Sequence, residues 1–227
     1  MHREEDIVLV DMLDHYRRLS VKTLHLLRWH VRFVNQLRTQ HCDLARPRVI
    51  LMWADTDTVV YPAVVVDFID QWRVATAERA VFGACTCTGR ENCRRLGGNP
   101  TMIVPRHKSE KWRLARQVYP YGLFPQYCIG FAVLMSPDLP ALLLREAEKR
   151  PAHELEQFFI EDVLYFGMFG NLLNIRLQGS HRFREVGKFV NCTDCAAIHR
   201  RSYDANVTVK ITPDVIRAMW QHYLQHS

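Results

Sequence analysis

Two pairs of acidic residues in this chain have the spacing and surroundings that metal and proton chemistry need. The first is Asp55-Thr56-Asp57, which ends the apolar run Val49-Ile50-Leu51-Met52-Trp53-Ala54. In an open α/β sheet, ligands gather beyond the carboxyl ends of strands, and a hard divalent cation that holds a diphosphate needs one or two carboxylates besides phosphate oxygens. Asp55 and Asp57 therefore read as a metal-and-nucleotide position, against the plainer reading of a solvated strand-to-helix turn. The second pair is Glu161-Asp162, wedged between Phe158-Phe159-Ile160 and Val163-Leu164-Tyr165. Carboxylates in such surroundings either carry raised pKa values and accept protons, or stand at a helix start against the macrodipole; both readings stay open. If the site handles a sugar hydroxyl, one carboxylate within hydrogen-bond reach of it serves as the general base.

A third constellation is Cys192-Thr193-Asp194-Cys195 followed by His199, with Cys85, Cys87 or Cys93 as a further ligand. A Cys-x2-Cys pair and a histidine supply three zinc ligands, but this spacing is not that of a known finger, and disulfides or core thiols explain the same residues. The eleven histidines are scattered and read mainly as surface or packing residues. His107 and His181 are conceivable in a phosphate-binding environment by position alone.

The elements that must position these groups follow from periodicity. Val49–Ala54 is a buried strand of the central parallel kind, resuming as Thr58-Val59-Val60. Pro62 fits the first position of a helix carrying Val65, Phe68, Ile69 and Trp72. Ser20 reads as the cap of a helix with Val21, Leu24, Leu27, Val31 and Val34 on one face, and Ile7–Val10 as a short strand before it. Residues 83–100 read as an irregular loop, and Phe124–Gly130 as a shaped loop before the apolar Phe131–Met135. Ser136-Pro137-Asp138 opens a helix through about Lys149, and Thr212-Pro213-Asp214 a last amphipathic one. Strands alternating with helices predict an α/β sheet in one domain spanning residues 1–227.

Composition narrows the partners. The net charge of +6 comes mainly from arginine spread along the chain, which suits phosphate or acidic glycans. The absence of a helix-turn-helix, RNA-binding or finger pattern argues against nucleic acid. No run of about 18 apolar residues and no signal core are present, so no membrane segment is expected from these residues. Seven cysteines and the sequons Asn191-Cys192-Thr193 and Asn206-Val207-Thr208 lean toward a secretory lumen.

Asp6-Ile7 and then Asp14-His15-Tyr16-Arg17-Arg18-Leu19-Ser20-Val21-Lys22-Thr23 resemble an Asp-Ile pair followed by Asp-x-Tyr-x-Asn-Leu-Thr-x-Lys-Thr. That pattern marks the beta-1,3-galactosyltransferase-like hexosyltransferases, glycosyltransferase family 31. Matching motifs follow in order: Asp55-Thr56-Asp57, Pro105-Arg106, Lys111-Trp112, Tyr119-Pro120, Phe124-Pro125-Gln126-Tyr127-Cys128-Ile129-Gly130, Ser136 and Glu161-Asp162-Val163. The resemblance covers roughly residues 5 to 175, and the ordered series is far more specific than any single motif.

The resemblance implies a GT-A fold (a Rossmann-like mixed sheet flanked by helices) and inverting transfer from UDP-galactose or UDP-N-acetylglucosamine. It further implies a glycan acceptor on a glycoprotein or glycolipid, Mn2+, and a Golgi-lumen role in protein glycosylation behind a type II signal-anchor. Asp55 and Asp57 take the outer places of the family's Asp-Asp-Asp metal motif, and Asp162 the place of the catalytic base. Lys111 and Trp112 fall at the donor pocket; Tyr127, Gly130 and Glu161 fall at the acceptor pocket. Thr56 stands where the family has the middle Asp, Trp53 where it has Lys, and Arg18 where it has Asn. The family's opening strand, its Arg-rich segment and its anchor precede the part matched here, so a partial catalytic domain is expected. The alternative is a catalytically inactive glycan- or partner-binding domain on the same fold.

Overall fold

A computed structural model describes residues 12–40, 49–87, 99–100, 102–107, 110–186 and 194–200. The strand expected at Ile7–Val10, both sequons and the helix expected from Thr212 lie outside the described residues. The chain within them is a mixed α/β structure built on two sheets.

The first helix, α1 (Leu19–Gln40), follows a 3-10 turn at Tyr16–Arg18, which His15 caps by accepting the Arg17 N–H at 3.1 Å. Ser20 is therefore not the cap. It lies inside the first turn, buried, where its hydroxyl donates to the Phe158 carbonyl and its own carbonyl accepts the Tyr165 hydroxyl at 2.8 Å. The residue ties α1 to the chain entering and leaving Glu161-Asp162. Leu24 and Leu27 bury the expected apolar face.

Strand β1 (Leu51–Ala54) pairs antiparallel with β5 (Cys128–Met135), Leu51 facing Met135 and Ala54 facing Ala132. The parallel central strand expected here is corrected: among the described residues β5 is its sole ladder partner, and Met52 and Trp53 are only partly buried. The chain then crosses to β2 (Thr58–Val60), which pairs antiparallel with β8 (Ala197–Arg200), itself parallel to β7 (Phe183–Val186).

The centre of the larger sheet is β3 (Ala80–Cys87), buried along its whole length. It pairs antiparallel with β5 and parallel with β6 (Arg176–Gly179) and β4 (Asn99–Pro100). Gly83–Cys87 thus form strand, not the start of a loop. The small residues that suggested a loop are demanded by packing: a Cβ at Gly83 would stand 2.9 Å from the Ala132 carbonyl oxygen. The register shifts between Gly83 and Cys85, and beyond that shift Cys85 faces Cys128 and is joined to it by a disulfide. Cys128-Ile129-Gly130, expected as loop, likewise belong to β5.

Helices cover both faces. One face carries Val81, Cys85, Val133 and Met135 against Leu24 and Leu27 of α1, against α3 (Leu139–Glu148) and against residues 158–169. The other carries Phe82, Ala84, Phe131 and Leu134 against Val65 and Phe68 of α2 (Pro62–Gln71). Both helices open where expected. At α3, Ser136 accepts the Ala80 N–H at 3.0 Å and donates to Asp138 at 2.7 Å. Asp138 in turn accepts the N–H of Arg79, whose φ of 45° lies in the left-handed region and needs such support. After α4 (Ala152–Gln157), a π-helical segment, Val163–Met168, runs into α5 (Phe169–Leu173).

Candidate active site

Two chain segments meet β5 at one end of the larger sheet. The Asp55 N–H donates to the Phe131 carbonyl at 2.9 Å, and the Thr58 hydroxyl reaches the same oxygen at 3.0 Å. A turn closed by the Thr58 N–H on the Asp55 carbonyl, at 3.0 Å, leaves Asp55 and Asp57 exposed. One residue earlier along β5, the Gly130 N–H donates to Asp162 Oδ2 at 3.1 Å. The other oxygen, Oδ1, accepts the Val163 N–H at 2.7 Å, so Asp162 caps the π-helical segment. The two open readings of the acidic pair are thus both realised in Asp162: it is a helix-start charge and a perturbed carboxyl.

Burial pushes the Asp162 carboxyl up to about 6, and the negative charge of Asp55 adds to the rise. The Gly130 and Val163 N–H groups hold it down from going further, because they stabilise the charged form. Glu161 is raised well above its ordinary value, first by burial, then by the charges of Asp162 and Asp55, with the Lys111 ammonium opposing. These influences tie Asp55, Lys111, Glu161 and Asp162 into one electrostatic neighbourhood. The π-helical turn that Asp162 opens is a feature frequent at functional sites.

Gly130 earns its place by what it lacks. A Cβ there would meet Glu161 Oε1 at 3.2 Å and Asp162 Cβ at 3.3 Å. Its side of the strand is the seat of the acidic pair, so its contribution is a backbone donor to Asp162. Tyr127 departs from the acceptor contact expected of it. Only 2% of its surface is exposed, and its ring packs edge-on against Phe124, which leaves it no face for a sugar. Its N–H is anchored instead by the Thr86 hydroxyl at 2.9 Å.

Lys111 and Trp112 lie beside the N-terminal turn of α1. The Lys111 ammonium sits 4.3 Å from the Tyr16 ring centroid and 5.4 Å from that of Trp112, whose indole N–H donates to the Tyr16 hydroxyl. Tyr16 packs edge-on against Phe159 at 6.0 Å, and Arg17 lies over the Phe159 ring at 4.8 Å. Residue patterning singled out none of Tyr16, Arg17 and Phe159 as site residues. Only the motif containing Tyr16 pointed here, because the contact joins residues far apart in the chain. Arg106 is a loop clamp: its guanidinium donates to the carbonyls of Leu114 and Tyr119 at 2.7 Å each.

The zinc reading is corrected. Cys85, Cys87 and Cys195 are all disulfide-bonded, so three of its supposed thiolates are not thiolates. No cluster of three or more candidate metal ligands occurs among the described residues.

A family model described as Galactosyltransferase matches residues 1–178. The chain belongs to the galactosyltransferase family. Beta-1,3-galactosyltransferase 5 of Pan paniscus is 26% identical over 179 residues, covering 79% of this chain and 49% of that protein. Beta-1,3-galactosyltransferase 1 of Mus musculus is 25% identical over 217 residues, covering 95% of this chain and 54% of that protein. UDP-GalNAc:beta-1,3-N-acetylgalactosaminyltransferase 1 of Sus scrofa is 26% identical over 176 residues, 76% of this chain and 43% of that protein. This galactosyltransferase-family chain therefore spans about half the length of the curated relatives it matches.

Proposed function

We propose that this chain is the catalytic part of an inverting beta-1,3-hexosyltransferase of the GT-A fold, using UDP-galactose or UDP-N-acetylglucosamine as donor and a glycan as acceptor. Family membership supports the class of reaction. The observation that carries the mechanism is the oriented, half-buried Asp162, held by two backbone N–H groups within the field of Asp55.

Asp162 is the general base. With each oxygen already accepting one N–H, its remaining lone pairs have a set direction, and a pKa near 6 leaves it charged yet basic at neutral pH. It takes the proton of the acceptor hydroxyl as that oxygen attacks the anomeric carbon, while the bond to UDP breaks on the opposite face. One displacement inverts the stereochemistry and requires no protein nucleophile. Asp55 and Asp57 fit a hard cation: two exposed carboxylates flank a turn at the end of a strand, leaving most positions to phosphate and water. Bound there, Mn2+ supplies charge neutralisation for the departing diphosphate. Lys111 and Trp112 border the donor, and Glu161 the acceptor. The disulfides suit an oxidising compartment and support action in the Golgi lumen.

A second reading, a glycan-binding domain without turnover, is favoured by Trp53, which replaces the family's lysine and packs its ring on Phe166 at 5.6 Å. Titration of UDP into the folded protein, with Mn2+ and then with chelator, separates the two. Manganese-dependent binding supports transfer; no UDP binding under either condition, from a folded sample that binds glycan, establishes the second reading.

A further inference from the structure

Among the described residues, two exposed cations beside the acidic pair form no ion pair. Arg17 and Lys111 lie on neighbouring aromatic rings, Phe159 and Tyr16, and contacts of 4.8, 6.0 and 4.3 Å link the guanidinium through both rings to the ammonium. Neither cation belongs to any salt bridge there, although their neighbours Arg18 and Lys22 pair with Glu156 and Asp14. The aromatic seats restrain both side chains, so less rotamer entropy is lost when an anion docks than for free surface cations. The shelf is anchored from beneath: Tyr16 accepts the Trp112 indole N–H, and Phe159 is buried, as are its chain neighbours Phe158 and Ile160.

We propose that Arg17, seated beside Lys111, binds an anionic group, a sulfate, carried by the acceptor glycan. The inference rests on the transferase reading of the Glu161-Asp162 site and names its acceptor class. Phe159, the seat of Arg17, lies two residues before Glu161, whose carboxyl also feels the Asp55 and Lys111 charges. Arg17 thus stands on the Glu161 side of the pair, next to the Lys111 that borders the donor. An acceptor offering its hydroxyl to Asp162 would extend past Glu161 and meet Arg17. Arginine supplies a planar fork that matches a sulfate with two hydrogen bonds.

The test compares binding of N-acetyllactosamine bearing a 6-sulfate with binding of its neutral parent, by titration into wild type, Arg17→Gln and Arg32→Gln. Arg32 is an exposed arginine of α1 about 22 Å of helix rise away, so it matches the charge change without touching the shelf. The expected result is about a tenfold preference of wild type for the sulfated sugar, the scale of one charge-assisted contact. That preference should vanish in Arg17→Gln and at high salt, persist in Arg32→Gln, and leave UDP affinity unchanged. Equal binding of both sugars by wild type overturns the proposal, as does a preference that survives Arg17→Gln. Loss of UDP affinity in Arg17→Gln also overturns it, and assigns Arg17 to the donor diphosphate. If UDP fails to bind wild type but the sulfate preference persists, the anion site stands and the transferase reading falls.

Discussion

Replacing Gly130 by alanine tests the base assignment without substituting either carboxylate. The new Cβ would stand 3.2 Å from Glu161 Oε1, 3.3 Å from Asp162 Cβ and 3.8 Å from Asp162 Cγ. Carbon atoms in relaxed contact sit about 3.5–4.0 Å apart, so the acidic pair must retreat by a few tenths of an ångström. The Gly130 N–H to Asp162 bond is already at 3.1 Å, near the long end of the useful range, and that retreat breaks or greatly weakens it. The Val163 N–H moves with Asp162 and stays bonded. A hydrogen bond to a charged group contributes about 1.5–3 kcal/mol, so losing most of it raises the Asp162 pKa by roughly one unit above its value of about 6. Because the base works in its charged form, transfer is present above this pKa and is lost as pH falls through it. The acid limb of the rate profile should therefore move up by about one unit, and kcat on the alkaline plateau should fall about tenfold from misplacement. Overpacking should cost about 1–3 kcal/mol in chemical denaturation. The decisive assay is the pH dependence of kcat for wild type and variant. An unmoved acid limb, in a variant whose stability has dropped as expected, would refute Asp162 as the titrating base.

Asp162→Asn should abolish transfer while UDP and Mn2+ affinities, read by titration, stay near wild type; full transfer by this variant removes the base assignment. The folded-state pKa of Asp162 is raised, from 3.8 to about 6, so its contribution to stability is present at low pH and lost as pH rises through about 6. Unfolding measured at pH 5 and at pH 8 should accordingly show a smaller difference in Asp162→Asn than in wild type, by about 1.4 kcal/mol. Asp55→Ala should weaken Mn2+-dependent UDP binding at least about tenfold; it should also lower the acid limb of the rate profile, since the Asp55 charge raises the Asp162 pKa. Unchanged metal-dependent affinity would dismiss the metal role. Replacing Cys85 and Cys128 together by alanine removes a bridge across 43 positions and should cost about 4 kcal/mol by the chain-entropy argument, seen as a lower denaturation midpoint.

What was legible in the residues is what local rules control. The helix after Pro62 and the one after Ser136-Pro137-Asp138 carry their start signals and apolar spacing in a dozen residues each, and both form where that spacing puts them. The Asp55-Thr56-Asp57 turn is equally local, because an apolar run that meets two carboxylates must leave the core. The family was legible through the order of its motifs along the chain, and the matched model agrees.

Pairing partners, by contrast, come from residues distant in sequence. The apolar run at 49–54 cannot reveal whether it has one neighbour or two, and here β5 is its only one among the described residues. Glycines and cysteines at 83–87 look like loop until Val133 and the Ala132 carbonyl are placed against them. Ser20 reads as a cap until Phe158 and Tyr165 arrive from the far end of the chain.

The same division runs through the site. The sequence by itself determined which groups can do chemistry: two pairs of carboxylates, one after a strand and one amid apolar residues. Tertiary structure decided what each becomes. Bringing Gly130 under Asp162 orients that carboxylate, burial and the Asp55 charge raise its pKa, and packing consigns Tyr127 to the core. Arg17 and Lys111 acquire their aromatic seats in the same way, since only the fold brings Tyr16 against Phe159. The physical reason is common to all of them: composition sets the chemistry available, but desolvation and electric field depend on neighbours that only folding supplies.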